Sequence, residues 1–165
     1  MKLSTLLTYI TTQDNEFFYY KTAKAFCYGV LPIHIDDQGR YFTILVKGKR
    51  KLSFPKGKKE YKEHPIECAT RETREETGLV VGRDYKFIRT RRMLYDNTLT
   101  NQVATQYFPV LVFDKKELAS EDETEIYHVG WYSEEDIQKL TPEDICDVRK
   151  YMILNFIREH RQHTH

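Results

Sequence analysis

Cysteine is scarce and scattered: Cys27, Cys68 and Cys146 are the three in the chain, an odd number with no C-x-x-C pair. That excludes a disulfide framework and a paired-cysteine zinc site, and three reduced, structural thiols are expected. Long apolar runs are missing too. No stretch reaches the roughly 18 apolar residues that a membrane-spanning helix needs, so no membrane partner is expected. The opening MKLSTLLTYITTQDNE carries a single lysine, an apolar stretch broken by Ser4, Thr5 and Thr8, and no small-residue cleavage site. The expectation is no signal peptide, and a soluble, intracellular, cytoplasmic protein. Linkers, repeats and low-complexity segments are also absent, which leaves no internal domain boundary.

What remains is a core-forming composition. Forty per cent of the 165 residues are hydrophobic, with twelve tyrosines and nine phenylalanines, and the length fits one domain of about 100–200 residues. A single domain over residues 1–165 is expected. Phe17 to Ile35 reads as one or two strands, Asp36-Asp37-Gln38-Gly39 as a turn, and Tyr41 to Val46 as the next strand. Tyr85 to Leu94, Gln102 to Phe113 and Ile126 to Tyr132 read as further strands. Ser133 before Glu134-Glu135-Asp136 is an N-cap with acids in the first turn, starting a short helix to about Leu140. Thr141-Pro142-Glu143 repeats that signal for a last helix to about Glu159, with Ile145, Val148, Met152, Ile153, Phe156 and Ile157 as its apolar stripe. A mixed sheet with helices on both sides, an α/β class, accounts for all of it.

The segment that carries chemistry is Gly57 to Leu79. Pro65 suits the first turn of a helix and Gly78 suits its left-handed end, which predicts a helix over residues 65–77. At about 100° per residue, Glu75 and Glu76 stand at about 300° and 40° from Glu72, so the three carboxylates share one arc. Like charges so stacked repel and need a cation. A hard divalent ion such as Mg²⁺ takes oxygen ligands and bridges carboxylates to substrate phosphates, so metal and phosphate chemistry are expected. The other side of the helix, Ile66, Ala69, Thr70, Thr73 and Thr77, is small or apolar and suited to packing on a sheet. Glu63 can reach back to Arg71 and brace the loop from Gly57. Phe54-Pro55-Lys56 leads the chain into this region, where the backbone carbonyl of Lys56 or Gly57 is a further candidate oxygen ligand.

This pattern resembles the Nudix box, G-x5-E-x7-R-E-U-x-E-E-x-G-U, where U is bulky and aliphatic. Gly57, Glu63, Arg71, Glu72, Glu75, Glu76 and Gly78 match, and Thr73 departs from the aliphatic preference. The resemblance implies a Nudix-type α/β/α sandwich with a mixed central β-sheet, and a hydrolase that uses Mg²⁺ or Mn²⁺ to cut a nucleoside diphosphate linked to another group. Glu72 and Glu76 are the expected direct metal ligands, together with the Lys56 carbonyl. Glu75 is expected to coordinate a second ion or orient a water, and Gly57, Glu63, Arg71 and Gly78 to hold the structure. Within the family, Ile44-Leu45-Val46-Lys47-Gly48, Ser53-Phe54-Pro55-Lys56-Gly57-Lys58, Cys68-Ala69, and Glu125-Ile126 ahead of Trp131 resemble the messenger-RNA decapping branch. That likeness implies Glu125 as the general base, with its neighbours Glu121 and Glu123 as alternatives. The N-terminal helical regulatory domain of that branch is not carried over.

Net charge is only +1, but Lys47, Lys49, Arg50, Lys51, Lys56, Lys58 and Lys59 form an uninterrupted basic cluster, and Arg89, Arg91 and Arg92 a second. Such local fields draw polyphosphate or an RNA backbone, and Lys47, Lys56 and Lys58 are the expected phosphate contacts. The expected partner is a nucleotide or capped-RNA substrate. Capped RNA needs an aromatic shelf for its base, for which Tyr28, Tyr95, Tyr107 and Phe108 are candidates. The alternative substrates are dinucleoside polyphosphates or diphosphoinositol polyphosphates. A non-hydrolytic nucleotide- or RNA-binding module is the alternative of another class, against which three intact carboxylates speak. No protein partner is legible.

Overall fold

In the computed structural model, residues 27–88, 94–96, 105–121 and 124–163 are described, the segment 94–96 by its backbone alone. Strand β1 (Cys27–Ile35) is the spine of the sheet. Its fellow strands are β2 (Tyr41–Lys47), β3 (Lys56–Lys58), β4 (Tyr85–Phe87), β5 (Leu94–Asp96), β6 (Thr105–Val112) and β7 (His128–Ser133). The order across the sheet is β4-β6-β1-β2-β7, with β3 paired to β1 and β5 to β6. The β1–β6 ladder is parallel and the others antiparallel, so the sheet is mixed. One local feature sets up the site. Strand β1 pairs with β2 only at His34 and Ile35, while Cys27, Tyr28 and Gly29 pair with Lys58, Gly57 and Lys56 of β3. The basic stretch before the box is thereby fastened to the central strand.

Alternation along the strands sends side chains to opposite faces. Tyr28, Val30, Ile44, Phe108, Val110 and Val112 meet Ile66, Cys68 and Ala69 of helix α1 (Pro65–Thr77). Leu31, Ile33, Leu45 and Tyr107 face the other way, against Ile137 of α2 (Glu134–Lys139) and Ile153, Phe156 and Ile157 of α3 (Asp147–His163). Two cores on one sheet make the α/β/α sandwich.

Helix α1 begins and ends at Pro65 and Thr77, and Gly78 closes it in the left-handed region at φ 82°, donating to Arg74 O at 2.8 Å. Its cap is His64, whose Nδ1 accepts from Ile66 N at 3.2 Å while Glu67 accepts from His64 N at 3.0 Å. Thr73 is buried, and its hydroxyl is satisfied by donating to Ala69 O at 2.7 Å. Helix α2 is capped by Ser133 with acids in its first turn, as expected, and Asp136 completes a capping box. The last helix requires a correction, because it starts at Asp147 rather than after Thr141. The Asp144 carboxylate accepts from both Thr141 N and Thr141 Oγ1, closing a turn instead of capping a helix, and Ile145 bridges to Leu52. The stripe shifts as well: Val148 is exposed and Arg149 is buried in its place. No helix among the described residues is long and apolar enough to cross a membrane. Cys27 and Cys68 are buried, Cys146 is half-buried, and none of the three is in a disulfide.

Candidate active site

Helix α1 places Glu72, Glu75 and Glu76 beside β3, all three half-buried. Glu76 Oε1 accepts the Lys56 backbone N–H at 2.7 Å. Burial pushes the Glu76 carboxyl up to about 8, and the neighbouring Glu72 and Glu75 push the same way against the Lys56 N–H and ammonium. Glu72 is raised as well, by burial first and then by Glu75 and Glu63, against the pull of Arg71. Neighbouring carboxylates thus add to burial in disfavouring the ionised forms of Glu72 and Glu76.

Arg71 is the cation that balances part of this. Its Nε and Nη2 donate to the two oxygens of Glu63 at 2.7 and 3.0 Å, a bidentate pair. Nη1 donates to Glu72 Oε1 at 3.0 Å and to Glu75 Oε2 at 3.2 Å, and Nη2 also reaches the Lys58 carbonyl at 3.0 Å. The loop from Gly57 to Glu63 is tied to the helix through this one guanidinium. A Cβ at Gly57 would overlap the Glu72 carboxyl group, so glycine there leaves the carboxyl in its place.

Among the described residues, no three histidine, cysteine or acidic side chains are gathered in ligating geometry. Two of the carboxylates turn to Arg71 and the third to Lys56 N. Their chemistry nonetheless fits a hard divalent cation. They offer only carboxylate oxygens, on one helix face, and Glu72 and Glu75 add to burial in raising Glu76, an opposition that added positive charge would relieve.

A cavity of about 170 Å³ adjoins Glu76, lined by Lys49, Arg50, Lys51, Ser53, Lys56, Ile126 and Arg149 among others. Of the expected phosphate contacts, Lys56 is in this wall. Lys47 is exposed at the end of β2, its carbonyl accepting from Tyr127 N at 2.8 Å, and Lys58 is exposed on β3, so neither lines the cavity. Glu125 is exposed, with its backbone against Gly48, and Ile126 rather than Glu125 lines the cavity. Glu121 bonds to Arg74 at 2.9 Å, and its N–H donates to Glu75 O at 2.7 Å. Glu123, Arg89, Arg91 and Arg92 lie outside the described residues, as does the Tyr95 side chain. The remaining shelf candidates are corrected: Tyr28, Tyr107 and Phe108 are at most 2% exposed and belong to the core. Trp131 is also structural, packing on the α1-side core and donating Nε1 to Lys116 O at 2.8 Å. Sequence reasoning missed Arg149, which sits where an apolar side chain was expected, and His64, an unusual cap.

The sequence model of the NUDIX domain matches residues 27–154. The chain belongs to the Nudix hydrolase family. Members of the family generally use divalent ions such as Mg²⁺ or Mn²⁺. No curated protein sequence matches this Nudix chain. Its fold is similar to that of a C. elegans Ap4A hydrolase solved as a binary complex, at 16% identity and TM-score 0.63, covering 84% of this chain and 97% of that one. A NUDIX-family hydrolase from Clostridium perfringens is similar at 18% identity and TM-score 0.64, with 83% and 98% covered. The NUDIX domain of Shewanella oneidensis NrtR, solved with ADP ribose, is similar at 13% identity and TM-score 0.62, with 94% and 100% covered. The decapping branch expected within the family is not shown by these comparisons.

Proposed function

We propose that this Nudix hydrolase is a pyrophosphohydrolase that cleaves a phosphoanhydride bond of a nucleoside-diphosphate-linked substrate. The observation that carries this reading is the half-buried Glu76 carboxyl, pushed up to about 8 beside Glu72 and Glu75, at the rim of a cavity rich in lysine and arginine. Glu72, Glu76 and the Lys56 carbonyl would hold the metal ion, and Glu75 would hold a second one or orient water. When bound, Mg²⁺ or Mn²⁺ supplies Lewis-acid clamping of phosphate oxygens and a more acidic water. Arg71 keeps Glu72 and Glu75 aimed along one side, and Lys56 and its neighbours draw the polyanion in; the base that the decapping resemblance implies, Glu125, is supported by that resemblance alone.

Capped RNA is supported by the residues shared with the decapping branch, and dinucleoside polyphosphate by the likeness to an Ap4A hydrolase. A substrate panel with product identification separates them. Protein with Mg²⁺ or Mn²⁺ is expected to release m7GDP from capped RNA or to split diadenosine tetraphosphate. Glu76→Gln should lower turnover by about a hundredfold or more while the melting curve stays cooperative. Turnover of a diphosphoinositol alone moves the substrate assignment, and tight RNA binding without cleavage of any of the three establishes a binding module instead.

A further inference from the structure

Arg149, in the first turn of α3, is 7% exposed, yet it lines the cavity beside Glu76. A buried guanidinium is expensive unless partnered, and this one is positioned from within the protein. Its Nη1 donates to the Leu52 carbonyl at 3.3 Å. Leu52 N in turn donates to Asp144 O at 2.8 Å, Leu52 bridges to Ile145, and Lys51 Nζ donates to the Pro142 carbonyl. The basic loop between β2 and β3 is thereby stitched to the approach of α3. The cavity is a built seam, and its described lining sets Lys49, Arg50, Lys51, Lys56 and Arg149 beside the Glu76 carboxyl. Such a basic lining suits an anionic occupant, and a guanidinium fork is suited to phosphate oxygens. At about 170 Å³ it falls short of the roughly 300–1,000 Å³ that encloses a whole small ligand. Phosphate fits there, while a base and sugar stay outside.

We infer that this cavity holds a substrate phosphate beyond the two joined by the scissile bond, with Arg149 as its fixed guanidinium. The inference rests on the hydrolase reading above, which puts the scissile pair on the box carboxylates, with Glu76 as the shared wall. The enzyme therefore selects substrates with three or more linked phosphates over those with two. A two-phosphate substrate leaves the Arg149 side of the cavity to water.

The test compares kcat/KM on diadenosine tetraphosphate and on ADP ribose, both with Mg²⁺, for the wild type and Arg149→Gln. It adds equilibrium binding of inorganic tripolyphosphate and of pyrophosphate to the metal-free protein. The wild type is expected to prefer the longer chain by about tenfold in both assays, and Arg149→Gln to remove most of that preference. Equal losses on both chain lengths, or no loss, overturn the inference. Should Arg149→Gln fail to melt cooperatively, the exposed-loop variant Arg50→Ala decides, with a threefold or greater selective loss of tripolyphosphate binding expected from screening of a surface charge. If the wild type cuts nothing, the hydrolase reading fails on its own. Tripolyphosphate binding then still judges the cavity.

Discussion

A single guanidinium organises the acids of this site. Arg71 spans Glu63, Glu72, Glu75 and the Lys58 carbonyl, a set that needs a planar fork with several donors and that lysine cannot reproduce. The effect on Glu63 is visible: burial pushes its carboxyl up, but the bonds from Arg71 and Glu60 N outweigh that and hold it below the usual range. Cys68, under the same loop, is pushed up by burial and then by Glu63, so its thiol stays protonated and structural. Gly57 tests the close packing here. In Gly57→Ala the new methyl displaces the Glu72 carboxyl, the mobile end of a side chain, so the fold is expected to lose no more than about 1–2 kcal/mol. Hydrolysis should fall by roughly a hundredfold, since small misplacements near the chemistry cost that much. A melting curve beside a Mg²⁺-dependent rate checks both halves, and an unaffected rate removes Glu72 from the site.

At the scale of elements, the box helix was legible to the residue because its ends are written in backbone chemistry, proline at the start and a left-handed glycine at the close. Its cap was not, because a histidine ring rarely takes that role. His64→Ala is expected to destabilise the protein by about 1 kcal/mol, measured by denaturant unfolding at pH 7.5, with the Ile66 N–H left without its side-chain acceptor while the Glu67 bond to the backbone N–H at position 64 remains. An unchanged midpoint would show that the cap is dispensable. Strand β3 escaped notice because Lys56-Gly57-Lys58 is short and polar, and only pairing with β1 makes it a strand. The start of α3 was misplaced because an Asp three residues after a Pro-flanked Thr can close a turn as readily as a helix can follow it. The bridge to Leu52 decides between them.

For the whole molecule, the junction between α1, β4 and the segment after β6 rests on Asp84. Its buried carboxylate accepts from Val80 N, Arg83 and Lys116 at 2.6 to 3.0 Å. Burial raises this carboxyl, but the bonds from Arg83 and Lys116 prevail and hold it at about 2 against an ordinary 3.8. A folded-state value below the unfolded one means stability that is present above about pH 4 and lost as pH falls through about 2. It amounts to about 2 kcal/mol. Asp84→Asn should lower stability at neutral pH by that order and flatten the acid limb of the pH–stability curve. A limb of unchanged slope in the variant rules this account out.

The amino-acid order alone determined the fold class, the box helix and the nature of its chemistry, because carboxylate spacing on a helix, strand alternation and cap residues act over a few positions. Tertiary structure alone decided which tyrosines are core, which lysines reach Glu76, and that Arg149 joins them. Those outcomes depend on chain segments far apart in sequence being drawn over opposite faces of one sheet, where burial and electrostatics are set by neighbours that no local pattern names.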